Sequence, residues 1–213
     1  MLIHIVRHGQ TDWNAIRRIQ GQLESELDDT GRQQAQARGK DFNNLPLLAV
    51  YSSSSVRTRQ TTKLILGQRT DTVTYRDDLR EVRLGVWQGR LWADVEREFP
   101  EMVEAHRTDS PEFDVENAER SQQVQERGVA AIESIINEHK ESEADDNILV
   151  VSHGAIMRTI LAHYCDYHWL VCIQCLPCQT APTALSRWSA TNALYSRLPE
   201  HLLIKPNGPG RNI

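Results

Sequence analysis

The chain has 213 residues, with 29 acidic and 24 basic side chains and a formal charge of −5. A chain of this length is predicted to form one domain, or one domain with a small insertion. Its basic residues are scattered among acids and it has no apolar run of about 18 residues, so we expect neither a nucleic-acid partner nor a membrane span.

Short apolar runs alternate with longer amphipathic stretches along most of the chain. In chain order, the predicted elements are a strand at Leu2 to Val6, a helix at Thr30 to Asn44, a strand at Ala49 to Tyr51, a helix at Val56 to Gln68, a strand at Thr72 to Tyr75, a loop at Leu79 to Gly89, a short helix at Trp92 to Phe99 that Pro100 ends, an irregular polar stretch at His106 to Asn117, a long helix at Ser121 to His139, a strand at Ile148 to Val151 and a helix at Gly154 to Tyr164. This alternation is typical of an α/β fold with a mostly parallel central sheet flanked by helices.

The C-terminal part is predicted to contain short strands and turns, at Leu170 to Cys175, Thr183 to Ser189 and Leu194 to Leu198. We expect one domain over residues 1 to 204, with a small helical insertion at about 90 to 120. The last segment, Lys205 to Ile213, contains prolines and glycines and is predicted to be a flexible tail.

Four cysteines lie close together, at Cys165, Cys172, Cys175 and Cys178, and their spacing raises the possibility of a metal site. Pro177 breaks a helix there, and in an extended strand Cys175 faces the side opposite to Cys172 and Cys178. We therefore favour buried free thiols in a reducing, cytoplasmic compartment over a metal or redox role.

Two apolar strands each end in a His-Gly pair. Ile3 to Val6 leads to His8, and Ile148 to Val151 leads to His153. Ligands bind beyond the carboxyl ends of parallel strands, where helix N-termini favour anions, so two neighbouring strands would bring both imidazoles to one anion site. One such histidine is commonly only a structural feature of a strand end, but two copies, one beside Arg7, favour the functional interpretation.

Four motifs, in this order, resemble those of the histidine phosphatase superfamily, which includes the cofactor-dependent phosphoglycerate mutases. They are Arg7 to Thr11, followed by Trp13, Asn14, Gln20, Gly21 and Gly31; Ser52 to Thr62, which contains Arg57; Leu79 to Glu81; and Val151 to Gly154. The resemblance covers about residues 1 to 165 and implies a phosphoglycerate mutase-like fold.

The resemblance also implies a role for each motif residue. His8 would be the nucleophile that becomes phosphorylated, Glu81 would be the proton donor, and Arg7, Arg57 and His153 would bind the phosphoryl oxygens. Asn14, Gln20 and Gly21 would line the pocket, and the backbone amides of Gly9 or Gly154 could add donors.

These residue types suit phosphoryl transfer. The negative oxygens of a phosphate monoester repel a nucleophile, and the planar guanidinium groups of Arg7 and Arg57 can neutralise them with paired hydrogen bonds. The attacking His8 must be neutral, and a neighbouring arginine favours that form. Glu81 would protonate the leaving group and later take a proton from water, so this scheme requires no metal or cofactor.

Two of these assignments have simpler alternatives. Glu81 could be a loop carboxylate paired with Arg80 or Arg83, and Arg57 could be a surface residue of its helix, which is how we interpret Arg59.

The net reaction depends on what covers the pocket. The mutases resembled here have a long insertion after the proton-donor glutamate, whereas this chain has only Leu84 to Gly89 and then a short helix. That segment is more similar to the broad-specificity phosphatase branch, although Val86, Gln88 and Ala118 depart from its usual pattern. We therefore favour hydrolysis of a small phosphorylated metabolite, with a cofactor-dependent mutase and a catalytically silent phospho-ligand or partner-binding module as alternatives. The sequence leaves the oligomeric state and the natural substrate open.

Overall fold

The computed structural model describes residues 1–164, in which four strands form one parallel sheet. The strands are β1 (Leu2–Arg7), β2 (Ala49–Ser53), β3 (Val73–Arg76) and β4 (Asn147–Ser152), and their order across the sheet is β1-β4-β2-β3. Every residue of β4 is buried, as expected for a central strand whose two faces are both covered by helices. The predicted α/β class and parallel sheet are confirmed.

Seven α-helices lie in the described part of the chain. They are α1 (Asp12–Ala15), α2 (Asp29–Phe42), α3 (Val56–Leu66), α4 (Trp92–Glu98), α5 (Pro100–Thr108), α6 (Ser121–Glu138) and α7 (Gly154–Tyr164). Two short 3₁₀ turns, Asp77–Leu79 and Gly85–Trp87, interrupt the loop before α4.

The sheet separates two apolar layers. Phe42, Ile65 and Leu66, from α2 and α3, pack on one face against Val50 and Leu149. The larger layer on the other face includes Ile132, Ile135, Ile156 and Ile160 from α6 and α7. Burial of these apolar side chains is the main force that holds the helices on the sheet.

Strand pairing brings the segments after β1, β2 and β4 to one edge of the sheet. Arg7 pairs with Ser152, and the backbone amide of His8 continues the ladder by donating to the Ser152 carbonyl at 3.0 Å. Ser52 of β2 pairs with Val151 on the other side of β4. The condition for bringing the two histidines together, that their strands be neighbours, is therefore met.

The main difference from the predicted elements lies between α4 and α6. Pro100 does end α4, but it also begins a helix, α5, whose last residues fall in the polar stretch that was predicted to be irregular. Proline fits the first turn of a helix because its missing N–H has no partner there in any case. The one-turn helix α1 was also not predicted.

Several predicted features lie outside the described residues. They are the strands and turns beyond Tyr164, the four cysteines and the flexible tail. No helix among residues 1–164 is long and apolar enough to cross a membrane.

Candidate active site

The two predicted histidines meet at the edge of the sheet. The ring centroids of His8 and His153 are 5.2 Å apart, with an angle of 63° between the ring planes. Both side chains are buried, and each follows its strand directly. The parallel pairing of β1 with β4 is what places them together.

His8 is held as a neutral imidazole with a defined tautomer. Its Nδ1 lies 2.7 Å from the Gly9 carbonyl oxygen, which can only accept, so Nδ1 carries the proton and Nε2 keeps its lone pair. Burial, followed by the positive charges of Arg57 and Arg7, holds the pKa of His8 well below its usual value. At neutral pH, Nε2 is therefore available to attack an electrophile.

Arg57 lies entirely inside the protein, so the surface interpretation is wrong. Its Nη1 donates to the Leu23 carbonyl at 2.9 Å, Nη2 to the Gly21 carbonyl at 2.7 Å, and Nε to Nδ1 of His153 at 3.2 Å. These bonds use three of the five N–H groups of the guanidinium, and the other two, which have no acceptor among residues 1–164, are available to a ligand.

No carboxylate among residues 1–164 forms an ion pair with Arg57. Burial lowers the pKa of Arg57 to about 10, which still leaves it cationic at neutral pH. The negative charges of Glu81 and Glu24 act in the opposite direction and raise the pKa of Arg57, but neither carboxylate forms an ion pair with it, so the guanidinium can also bind an anionic ligand.

His153 is fixed from both sides. Since its Nδ1 accepts from Arg57, the proton lies on Nε2, which donates to the Ser53 hydroxyl at 2.8 Å. Burial and then the charge of Arg57 hold the pKa of His153 well below its usual value. Ser53 is the last residue of β2, so a third strand end contributes to the site.

Arg7 crosses the start of α7. A Cβ atom added at Gly154 would lie 3.2 Å from Nε of Arg7 and 3.3 Å from Cζ, so the guanidinium packs directly on this glycine. The arginine is exposed, in contrast to Arg57. Arg57 thus lies at the base of the site and Arg7 at its open side.

Glu81 does not pair with Arg80 or Arg83, so that interpretation is wrong. Its carboxylate accepts hydrogen bonds from the backbone amides of Ala155 and Ile156, all at 3.1 Å, and from that of Val82 at 3.0 Å. Glu81 thus binds the N-terminus of α7, immediately after His153 and Gly154. The N-terminus of a helix carries a partial positive charge, which stabilises a carboxylate placed there.

The other predicted pocket residues have contacts of their own. Asn14 forms a capping box with Thr11 at the start of α1, and Gln20 accepts a hydrogen bond from the Ser25 hydroxyl at 2.7 Å. Gly21 has a φ of +52°, and a Cβ there would lie 2.0 Å from Oε1 of Gln88. The Gly9 amide is bound to the Thr61 hydroxyl at 3.1 Å, so its predicted use as a phosphate donor is not supported.

Four residues of this region were not assigned by sequence reasoning. Ser53 contacts His153, Thr61 binds the Gly9 amide, and Arg80 pairs with Glu24 beside the Gly21 turn. Ser53 was detectable in principle, because β2 was predicted and its carboxyl end had to lie at the same edge.

Within residues 1–164 there is no cluster of three or more metal-binding side chains.

The two site histidines make a prediction for stability. Because the pKa of each is lowered on folding, the unfolded chain binds protons that the folded chain does not, and the free energy of unfolding falls as the pH drops below about 6.5. Each histidine should contribute a slope of up to about 1.4 kcal/mol per pH unit in this range and none at higher pH. The free energy of unfolding should be measured by urea unfolding at several pH values between pH 5 and pH 8. It should change less steeply with pH in His8→Asn than in the parent.

The control for this measurement is His163→Asn, which changes an exposed histidine of α7. This variant shows how the loss of a histidine outside the site affects the same measurement. Equal slopes for His8→Asn and the parent would contradict a lowered pKa at His8.

The chain belongs to the histidine phosphatase superfamily, branch 1, whose family model matches residues 3–190. The resemblance of the motifs to this family is thereby confirmed. The phosphoglycerate mutase-like fold that the resemblance implies is confirmed as well.

Particular relatives include both mutase-like and phosphatase proteins. The chain is 35% identical over 162 residues to phosphoglycerate mutase-like protein 4 of Arabidopsis thaliana, a match that covers 74% of this chain and 68% of the relative. It is 34% identical over 161 residues to a metal-independent phosphoserine phosphatase of the same plant, covering 74% and 66%. A solved mycobacterial glucosyl-3-phosphoglycerate phosphatase in complex with VO3 matches with a TM-score of 0.71 and 29% identity, covering 78% of this chain and 84% of that one.

Proposed function

We propose that this protein is a phosphatase that hydrolyses small phosphate monoesters through a phosphohistidine at His8. The observation that carries the proposal is a neutral, buried imidazole next to a buried guanidinium, Arg57, that has no carboxylate partner among the described residues. The relatives that are phosphatases act on small phosphorylated compounds, which supports the same substrate class.

In the first step, Nε2 of His8 attacks phosphorus while the ester P–O bond breaks. Arg57 offers its two remaining N–H groups to the phosphoryl oxygens, and Arg7 closes the open side with a second guanidinium. This step uses the protonated form of Glu81, which gives its proton to the leaving alkoxide and becomes the carboxylate that the amides of α7 stabilise. The products of this step are a free alcohol and an enzyme with phosphate on His8.

In the second step, water attacks the phosphohistidine. Glu81, now a carboxylate, removes a proton from the water as the new O–P bond forms and the N–P bond breaks. Inorganic phosphate leaves, and His8 returns to the tautomer that its bond to the Gly9 carbonyl selects. The same glutamate serves as acid and then as base, which is consistent with its fixed position.

The segment after Glu81 favours hydrolysis over isomerisation. Oε1 of Gln88 accepts hydrogen bonds from the backbone amides of Gln22 at 2.8 Å and Leu84 at 3.3 Å, which ties this short segment to the Gly21 turn. A mutase must retain and reorient a bisphosphate, and the long insertion that the resembled mutases have after the proton-donor glutamate is absent from this sequence.

We expect free phosphate to appear faster than any isomer when 3-phosphoglycerate or another small monoester is the substrate. The assay follows phosphate release and isomer formation in parallel, with enzyme dialysed against a strong chelator because the scheme uses no metal. Dominant isomerisation that depends on a catalytic bisphosphoglycerate would establish the mutase instead. Complete inactivity with intact binding of phosphorylated ligands would establish the silent module.

A further inference from the structure

A third arginine, Arg80, lies beside the phosphate site and takes no part in the mechanism above. Its Nη2 donates to the Gln22 carbonyl at 2.6 Å and to Oε1 of Glu24 at 2.8 Å. Its backbone is anchored by Arg127, whose Nη1 donates to the carbonyls of Asp78 and Arg80 at 2.9 Å and 2.8 Å. The position of this guanidinium is therefore well defined.

Arg57 and Arg80 are held by one turn of the chain. The carbonyls of Gly21 and Leu23 accept from Arg57, and the carbonyl between them, that of Gln22, accepts from Arg80. Three consecutive peptide units thus fix two guanidinium groups next to each other. The positive charge of Arg80 contributes to lowering the pKa of both Arg57 and His153, so this cation lies close enough to both residues to affect them electrostatically.

Some N–H groups of Arg80 are not used by its contacts with Gln22 and Glu24. Among residues 1–164, neither its buried Nε nor its Nη1 has a hydrogen-bond acceptor. A buried N–H without an acceptor is costly and is uncommon in folded proteins, so this side chain lacks a partner that a ligand could supply.

Glu24 is a partner that a ligand anion could replace. The Arg80 side chain is 25% exposed and that of Glu24 is 45% exposed, and ion pairs this open to water are weak. Glu24 also accepts from the Val56 amide at 2.7 Å, so it would remain bound at the start of α3 after losing Arg80.

We propose that Arg80 is a specificity-determining residue that selects phosphate monoesters carrying a carboxylate a few bonds from the phosphate. This inference rests on the proposed function. The phosphoryl group would occupy the site of His8, Arg57 and Arg7. The substrate carboxylate would replace Glu24 at Nη2 of Arg80 and accept from Nη2 together with Nε or Nη1. A planar guanidinium suits such a carboxylate because it can donate two parallel hydrogen bonds.

The test uses two substrates that differ in one group. 3-Phosphoglycerate carries a carboxylate where glycerol 3-phosphate carries a hydroxymethyl group. The parent should prefer 3-phosphoglycerate in kcat/KM, and Arg80→Gln should reduce kcat/KM for it by about 10- to 100-fold, the usual worth of a hydrogen bond to a charged group. The value for glycerol 3-phosphate should fall by less than about threefold, because that substrate does not use Arg80 in this way.

Arg38→Gln is the matched control. It removes the same charge from a side chain of similar exposure, 26%, which also pairs with a single carboxylate, Asp41, on the outer part of α2. This variant should leave both kcat/KM values unchanged. Glu24→Gln, which keeps an oxygen for the Val56 amide, should improve kcat/KM for 3-phosphoglycerate alone, and it tests the inference independently if Arg80→Gln folds poorly.

Equal losses for the two substrates in Arg80→Gln, or a parent without preference, would overturn the inference while leaving the phosphatase proposal intact. Failure of the parent to hydrolyse either ester or p-nitrophenyl phosphate would instead overturn the proposed function. In that event, equilibrium binding of the two compounds in a His8→Asn background still decides the role of Arg80. Selective weakening of 3-phosphoglycerate binding by Arg80→Gln supports that role, and equal weakening contradicts it.

Discussion

Replacing His8 by asparagine is expected to lower the turnover of phosphate monoesters by roughly 10⁴-fold or more, the order of loss seen when an enzyme loses its nucleophile. Asparagine is smaller than histidine and can still donate from its amide to the Gly9 carbonyl, so the fold should persist. Turnover should be measured with one alkyl ester and one aryl ester at saturating concentration, since both need the same nucleophile.

The control for this variant is His163→Asn, which should retain full activity. Circular dichroism and a urea unfolding curve would show that His8→Asn is folded. Activity of His8→Asn within a few-fold of the parent would exclude His8 as the nucleophile.

Replacing Glu81 by glutamine is expected to slow the first turnover of an alkyl phosphate by about 10²–10⁴-fold, the usual worth of general acid catalysis. An alkoxide is strongly basic and leaves poorly without a proton, whereas a nitrophenolate is stable unprotonated. Phosphohistidine formation from the aryl ester should therefore slow much less. Glutamine keeps one oxygen for the amides of Ala155 and Ile156, so the N-terminus of α7 should stay in place.

This comparison requires single-turnover measurements. Glu81 also activates water in the second step of the proposed mechanism, so steady-state rates could fall for both esters. The aryl ester serves as the internal control in the same variant. Equal slowing of histidine phosphorylation by the two esters would remove Glu81 from the acid role and leave it as a positioning residue.

Much of this architecture could be predicted because it depends on local apolar patterns. The run from Ile148 to Val151 has no polar residue, which is typical of a strand covered on both faces, and β4 is central. The edge strand β1 is also followed by His-Gly, and its parallel pairing with β4 brings His8 and His153 together.

What could not be predicted depends on long-range contacts. The sequence around Arg57 looks like the polar start of a surface helix, and only the turn at Gly21 to Leu23 buries it by supplying carbonyl acceptors. The interaction of Glu81 with α7 spans about seventy residues in sequence, and nothing near Glu81 indicates it. Helix α5 was missed because proline is compatible with both the end of one helix and the start of the next.

The most direct test of the central claim is to trap the covalent intermediate. Enzyme mixed with a ³²P-labelled aryl phosphate and quenched with alkali within the first turnover should carry label on His8, stable to alkali and lost in acid. Peptide mapping should find this label in the parent and no label at that position in His8→Asn. Label on a serine or cysteine, or hydrolysis with no labelled protein at any time, would contradict the account.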